Sequence, residues 1–159
     1  MRAAVLTVSD RVSRGEAEDG SGPAAVAKLT EFGINDVFVS VVEDGVEPVS
    51  NALLALALDH DLIVTTGGTG FSPRDLTPEA TRLVIDREAP GLAEAMRAAT
   101  FGKVPHGMLS RAVAGIVGST LIINLPGSVK AVEESLDVVG PALQHAIELL
   151  IRGQSDHNI

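Results

Sequence analysis

Cysteine is absent from the 159 residues, and so are tryptophan and tyrosine. Without cysteine there is no disulfide framework, no thiolate metal site and no cysteine redox chemistry. The four Phe are the only aromatic side chains besides the histidines, and 12 basic residues face 21 acidic ones for a net charge of −9. Such a chain lacks both the stacking platforms and the phosphate-neutralising surface of a nucleic-acid binder. Long hydrophobic runs are missing too: none reaches the ~18 apolar residues of a membrane span. The opening run 3–8 stops at Ser9-Asp10-Arg11, too short for a secretory signal. These absences predict a cytoplasmic protein that binds neither nucleic acid nor membrane. Any phosphorylated ligand must then be held locally, by backbone N–H groups, a few arginines or a metal ion.

What is present fits one domain over residues 1–152, with a polar, frayed tail at 153–159. Apolar residues make up 45% and the mean hydropathy is +0.28, a globular composition. Apolar runs predict strands at 2–8, 37–42 and 62–66. Residues 112–117 and 120–124 flank Gly118-Ser119 and predict a hairpin. Between them lie helical patterns. A helix is expected over 22–32, with Ser21 as N-cap and Gly33 as its stop, and another over 48–58. A third opens at Thr77-Pro78-Glu79, with Thr77 as its cap, and a fourth covers 91–100. A last helix, capped by Ser128, runs to 151 with a break at Gly140-Pro141. Residues 9–21 read as a polar loop. Alternating strands and helices predict an α/β fold: a mainly parallel sheet covered on both faces, with the hairpin as an antiparallel edge. Ligands in such folds sit outside the carboxyl ends of the strands. One rim then collects Ser9-Asp10-Arg11, Glu43-Asp44-Gly45, the loop after residue 66, and Leu125-Pro126-Gly127-Ser128.

The most informative stretch is Thr65-Thr66-Gly67-Gly68-Thr69-Gly70-Phe71-Ser72-Pro73-Arg74-Asp75. Its glycines allow tight turns and let N–H groups approach a phosphate unhindered. It fails the P-loop template, which needs Gly-Lys-Ser/Thr. It also fails G-x-G-x-x-G, because Pro73 stands at the third glycine. A ligand-free surface turn fits the glycines alone about as well; their place after a strand favours phosphate. Asp44 and Asp75 each follow a strand expected to be central, and two carboxylates on one rim suit Mg²⁺ arriving with a nucleotide. Asp10 is a third candidate. The plainer reading is that each aspartate caps its own turn. Arg74 either clamps a phosphate or pairs with Asp75. The histidines show no metal spacing: His60 ends a helix, His145 lies within one, His157 is in the tail, and His106 is a loop residue with a lesser claim to a ligand.

"TTGGTGFSPRDLTPEAT" at 65–81, "SDR" at 9–11, "DREAPGLAEAMR" at 86–97 and "LSRAVAGIVGSTLIINLPG" at 109–127 resemble the MoaB/Mog family of molybdenum cofactor biosynthesis. The likeness runs in order over about 4–151. It implies a three-layer α/β domain, usually a homotrimer, that binds molybdopterin. It further implies adenylyl transfer from Mg-ATP to the terminal phosphate of molybdopterin, with release of pyrophosphate. Carried over by the motifs, Asp44 and Asp75 are the essential acidic, metal-holding positions. Gly67, Gly68, Thr69 and Gly70 form the phosphate-binding loop, Arg74 follows it, and Ser9 and Asp10 mark the first strand's end. Ser110, Pro126, Gly127 and Ser128 line the pocket. Val129 departs from a common proline and puts the shape of that loop in question. A non-catalytic molybdopterin-binding or storage relative, or a carrier for a molybdenum-inserting partner protein, is the alternative.

Overall fold

The computed structural model describes residues 1–155. Its six strands are β1 (Arg2–Val8), β2 (Asp36–Val42), β3 (Leu62–Thr66), β4 (Arg87–Glu88), β5 (Ala114–Val117) and β6 (Thr120–Leu125), in the spatial order β2-β1-β3-β6-β5-β4. β1, β2, β3 and β6 run parallel. β5 pairs antiparallel with both β6 and β4. The mainly parallel sheet with an antiparallel side is thus as expected. The edge strand there is the two-residue β4, too short to show in the sequence pattern.

Side-chain alternation along the strands builds the two faces. In register across the sheet, Val5, Val64 and Ile123 lie side by side. With Ala3, Leu62 and Leu125 they pack against α2 (Ser21–Glu31), α5 (Pro90–Thr100) and α6 (Val129–Ser155). The intervening residues Ala4, Leu6, Ile63 and Ile122 face the other way, against Val49 and Leu53 of α3 (Val46–Ala57) and Ala80 and Val84 of α4 (Thr77–Val84). The result is helix, sheet and helix in three layers. Among the described residues no helix is long and apolar enough to cross a membrane.

Four local expectations change. Ser21 is the first residue of α2 and not its cap; the N-cap position is Gly20, with no side-chain cap. The loop over 9–21 contains a short helix, α1 (Asp10–Ser13), capped by Ser9, whose Oγ accepts from Val12 N at 3.2 Å. Thr77 does not cap α4; the N-cap position is Leu76, with no side-chain cap. And α6 does not break at Gly140-Pro141. Its buried stripe of Val132, Leu136, Val139, Leu143 and Ile147 continues across the proline. Pro141 and the turn before it, at Asp137, lie on the exposed side, where water can satisfy the carbonyl the proline leaves free. α6 also carries residues 153–155 of the expected tail in helix; His157 lies outside the described residues.

Leu143 is fully buried on α6, while Leu149 on the same helix is 56% exposed. Leu143→Ala is expected to lower the stability by about 2–5 kcal/mol, and Leu149→Ala by no more than about 0.5 kcal/mol. Urea unfolding at one protein concentration checks both. A second pair concerns the chain's exit from β3. Gly67 has φ +91°, and a Cβ built on it would lie 2.5 Å from the Val8 carbonyl oxygen. Gly118, in the β5–β6 turn, has φ +57° and open space around it. Gly67→Ala should cost about 1–3 kcal/mol in backbone strain alone, whereas Gly118→Asn, a residue that tolerates the left-handed region, should cost less. Urea midpoints rank the two.

Candidate active site at the carboxyl rim of the sheet

Because β1, β2, β3 and β6 are parallel, their carboxyl ends share one rim. The strands change character there. The core valines and isoleucines give way to Thr7, Thr65, Thr66 and Asn124, all buried and all hydrogen-bonded. Asn124 Nδ2 donates to Thr65 Oγ1 at 3.2 Å and to Thr81 Oγ1 at 2.9 Å, fixing α4 against the sheet.

The glycine loop leaves this rim with its carbonyls occupied. Thr77 Oγ1 donates to the Gly67 carbonyl at 3.0 Å, and Thr77 N to the Gly68 carbonyl at 3.1 Å. Arg111 N donates to the Thr69 carbonyl at 2.9 Å, and Arg111 Nε to the Gly70 carbonyl at 2.8 Å. No peptide is cis. In a trans peptide a carbonyl and the following N–H point in opposite directions. The N–H groups of Gly68, Thr69, Gly70 and Phe71 are therefore turned away from the donors that hold the preceding carbonyls. They donate to no protein acceptor among the described residues. Positive φ at Gly67 and Gly68, +91° and +68°, permits this path, and a Cβ on Gly68 would lie 2.2 Å from Thr77 Oγ1.

Asp44 and Asp75 flank the loop. A Cβ built on Gly68 would lie 3.3 Å from Asp44 Oδ1, and one on Gly70 would lie 2.9 Å from Asp75 Oδ2. Asp44 Oδ2 accepts from Asp10 N at 2.9 Å, and Asp10 Oδ1 accepts from Asp44 N at 3.1 Å, a reciprocal bracket between the β1 and β2 loops. Asp75 Oδ2 accepts from Ser72 N at 3.0 Å and closes its own turn. The second oxygen of each, Oδ1, receives no protein donor among the described residues. Burial, first, and then the negative charges of Asp10 and Asp75 push the Asp44 carboxyl above the usual aspartate range, against the pull of the Asp10 N–H. Asp44 follows the edge strand β2 rather than a central one; Asp75 follows β3, which lies inside the sheet.

Arg74 does not pair with Asp75. Its Nε and Nη2 fork onto Asp10 at 3.0 and 2.9 Å, and Nη2 also donates to the Asp44 carbonyl at 2.9 Å. The guanidinium holds the Asp10 carboxyl below its ordinary range. Ser9, Asp10, Asp44, Arg74, Asp75 and the glycines are thus gathered in one place. Ser110, Pro126 and Ser128, with Thr69 and Gly70, line a cleft of about 850 Å³ beside them, which His106 also borders. Ser9, Gly67, Gly127 and Ser128 border a second hollow of about 400 Å³. Val129, where the expected proline is missing, still opens α6: Ser128 Oγ accepts from Ala131 N at 3.2 Å and supplies the cap.

Arg111, Thr77 and Glu79 are the residues that motif reading passes over. Arg111 Nη1 makes an ion pair with Glu79, and Nη2 donates to the Asp75 carbonyl. The available signal was one cation standing directly before the apolar run 112–117, opposite a glycine loop rich in carbonyls.

Residues 4–145 match the family model described as a probable molybdopterin binding domain. The chain is 47% identical over 157 residues to gephyrin of Dictyostelium discoideum, covering 92% of this chain but 22% of that protein, so it spans about a fifth of gephyrin's length. It is 41% identical over 151 residues to a Helicobacter pylori protein named molybdopterin adenylyltransferase, covering 92% of this chain and 86% of the relative. The solved structure of the molybdopterin biosynthesis Mog protein from Mycobacterium ulcerans superposes with a TM-score of 0.88 at 43% identity, covering 94% of this chain and 98% of that one. With the glycine loop and its carboxylates set at the strand ends, and the likeness running from β1 into α6, the chain belongs to the MoaB/Mog family of molybdopterin-binding domains.

Proposed function

We propose that this chain transfers an adenylyl group from ATP to the terminal phosphate of molybdopterin and releases pyrophosphate. One observation carries the reading: four successive loop N–H groups, from Gly68 to Phe71, stand without protein acceptors between two carboxylates. Backbone donors in that state suit a polyphosphate, and a carboxylate on either side suits the cation that travels with it. The Helicobacter pylori relative named for this activity supports the same conclusion.

In the proposed reaction an oxygen of the molybdopterin phosphate attacks the α-phosphorus of ATP. The bond from that phosphorus to the bridging oxygen of the β-phosphate breaks, and the electron pair leaves with pyrophosphate. The attacking phosphate is already anionic near neutral pH, so positioning and charge stabilisation are the protein's tasks. Gly67, Gly68, Thr69 and Gly70 cradle the phosphates. Arg74 keeps its grip on Asp10 and offers Nη1, which makes no hydrogen bond among the described residues. Ser9, Ser110, Pro126, Gly127 and Ser128 line the two hollows that receive the organic parts of the substrates.

Asp44 and Asp75 would hold Mg²⁺ through their undonated Oδ1 atoms. Among the described residues no three His, Asp or Glu side chains gather as a ready-made metal site. A pair of carboxylates would suit a cation that arrives with a nucleotide. Bound there, Mg²⁺ supplies positive charge against the triphosphate and the departing pyrophosphate. The reading further places the protein in the cytoplasm as a homotrimer that passes its product to a molybdenum-inserting partner protein. Phe38, Val39 and Val41 on the edge strand β2, each more than 40% exposed, support burial of that edge by another copy.

Two outcomes test this. Pyrophosphate release from Mg-ATP should depend on added molybdopterin, and Asp75→Ala should lower kcat by at least about 10²-fold, the scale of losing one preorganised electrostatic group. Equal rates for wild type and variant would remove Asp75 from the mechanism, and tight molybdopterin binding with no binding of ATP would point instead to a storage or carrier protein. The second outcome concerns pH. Asp44 must be ionised to hold the cation, and its carboxyl is raised, so the acid limb of kcat/KM should lie above the ordinary aspartate value of 3.8. Asp10→Asn removes a neighbouring negative charge that raises Asp44, so the limb should move to lower pH. A limb that stays in place would separate Asp44 from the profile.

A further inference from the structure

Arg111 reaches the second half of the glycine loop, although it lies 36 residues beyond Asp75 in the chain. Its backbone N–H takes the Thr69 carbonyl at 2.9 Å, its Nε takes the Gly70 carbonyl at 2.8 Å, and its Nη2 takes the Asp75 carbonyl. Its Nη1 is held by Glu79, in the first turn of α4. The loop from Gly70 to Asp75 is thereby fastened at both ends to one planar group. The guanidinium makes four hydrogen bonds, each to a protein acceptor: one to Gly70, one to Asp75 and two to Glu79.

We propose that Arg111 is a positioning residue for the phosphate-binding loop, acting through the peptide planes it clamps, with Glu79 as the counter-ion that aims it. The inference rests on the adenylyl-transfer reading above. Capture of the Thr69 and Gly70 carbonyls fixes the direction of the Gly70 and Phe71 N–H groups. Capture of the Asp75 carbonyl fixes the backbone that carries the flanking carboxylate. The guanidinium is suited to this because its donors lie in one rigid plane. A lysine ammonium in the same place is a point charge that cannot reach Gly70, Asp75 and Glu79 in the same geometry. The Arg111 fork also holds the Glu79 carboxyl below its ordinary range, so the pair stays charged through neutral pH. Thr77 secures the Gly67 and Gly68 carbonyls on the other half of the loop, so Arg111 governs the half nearer Asp75.

The test uses Arg111→Lys, Arg111→Met and Glu79→Gln in the full chain. Three readouts are needed: pyrophosphate release against Mg-ATP concentration, thermal unfolding, and backbone amide ¹H–¹⁵N shifts without ligand. Both arginine variants should lose about 10²-fold in kcat/KM, the scale of misplacing a binding group by about 1 Å. Lysine should not rescue. Glu79→Gln, which keeps hydrogen bonding but loses charge, should fall between them and wild type. The amide of Phe71, which follows the carbonyl held by Arg111 Nε, should shift in Arg111→Lys while those of Val5 and Leu29 stay in place. Wild-type kcat and KM in Arg111→Lys with an unmoved Phe71 amide would overturn the proposal. So would a lowered unfolding temperature in Arg111→Met with unchanged kcat/KM per folded molecule. Should Arg111→Met fail to fold, the lysine and Glu79→Gln variants decide. Should wild type release no pyrophosphate, the functional reading fails, and the amide shifts still decide whether Arg111 sets the loop.

Discussion

The site depends on where four consecutive carbonyl groups go. A glycine-rich segment has too much conformational freedom to present donors in a fixed direction by itself. Here the carbonyls of Gly67, Gly68, Thr69 and Gly70 are each taken by a donor from outside the loop, two from Thr77 and two from Arg111. The trans peptide then does the rest, because each captured carbonyl determines the opposite direction for the next N–H. Glycine supplies the reachable backbone conformations, and Thr77 and Arg111 select among them. Without that selection, a ligand would have to order the loop itself and binding would weaken by the entropy of doing so.

The parallel sheet makes this arrangement possible. Four parallel strands deliver four loops to one rim, so residues as distant in sequence as Asp10, Asp44 and Arg74 meet within hydrogen-bond distance. Within the sheet, β1, β3 and β6 are apolar along their middles and carry Thr7, Thr65, Thr66 and Asn124 near their carboxyl ends. Those buried polar groups all find partners, and no buried side-chain polar atom among the described residues is left unsatisfied. A rim built this way is stiff, which suits a site whose tasks are orientation and charge placement.

Much of this was legible in the sequence, for reasons that also explain the gaps. β1, β3 and β6 each hold an apolar run, at 3–6, 62–64 and 121–123, and the helices between them carry prolines near their starts and, after α2, the stop glycine Gly33, so the alternation that defines the fold is local information. β4 was not legible, because Arg87-Glu88 has no room for alternation and is held only by pairing with β5. The unbroken path of α6 across Pro141 was not legible either: a long-range buried stripe outweighs a local breaker. The carboxylates could be placed because position after a strand predicts position on the rim. Arg111 and Thr77 could not be, because their work is done on backbone carbonyls, and a carbonyl leaves no mark in a sequence. Arg74 was readable as a rim residue but not as the partner of Asp10, since that contact spans 64 positions.

Charge shows how these pieces fit together. For a chain with net charge −9 proposed to bind a polyanion, sequence reading looks for free arginines at the site. The structure distributes them differently. Arg74 is occupied by Asp10 and Arg111 by Glu79, each a paired, mutually neutralising contact. Asp44 and Asp75 have no such cationic pair within salt-bridge distance among the described residues, and they stand on the two sides of the loop donors. The arginines therefore shape the loops, the uncompensated negative charge is concentrated on the two carboxylates, and the neutral backbone donors lie between. An anion arriving alone would meet repulsion at such a rim; one arriving with a divalent cation would find both of its charges matched. On the proposed adenylyl-transfer reading, the acidic balance of the chain is then compatible with polyphosphate binding, because such a rim would favour the metal–polyphosphate pair over the bare anion.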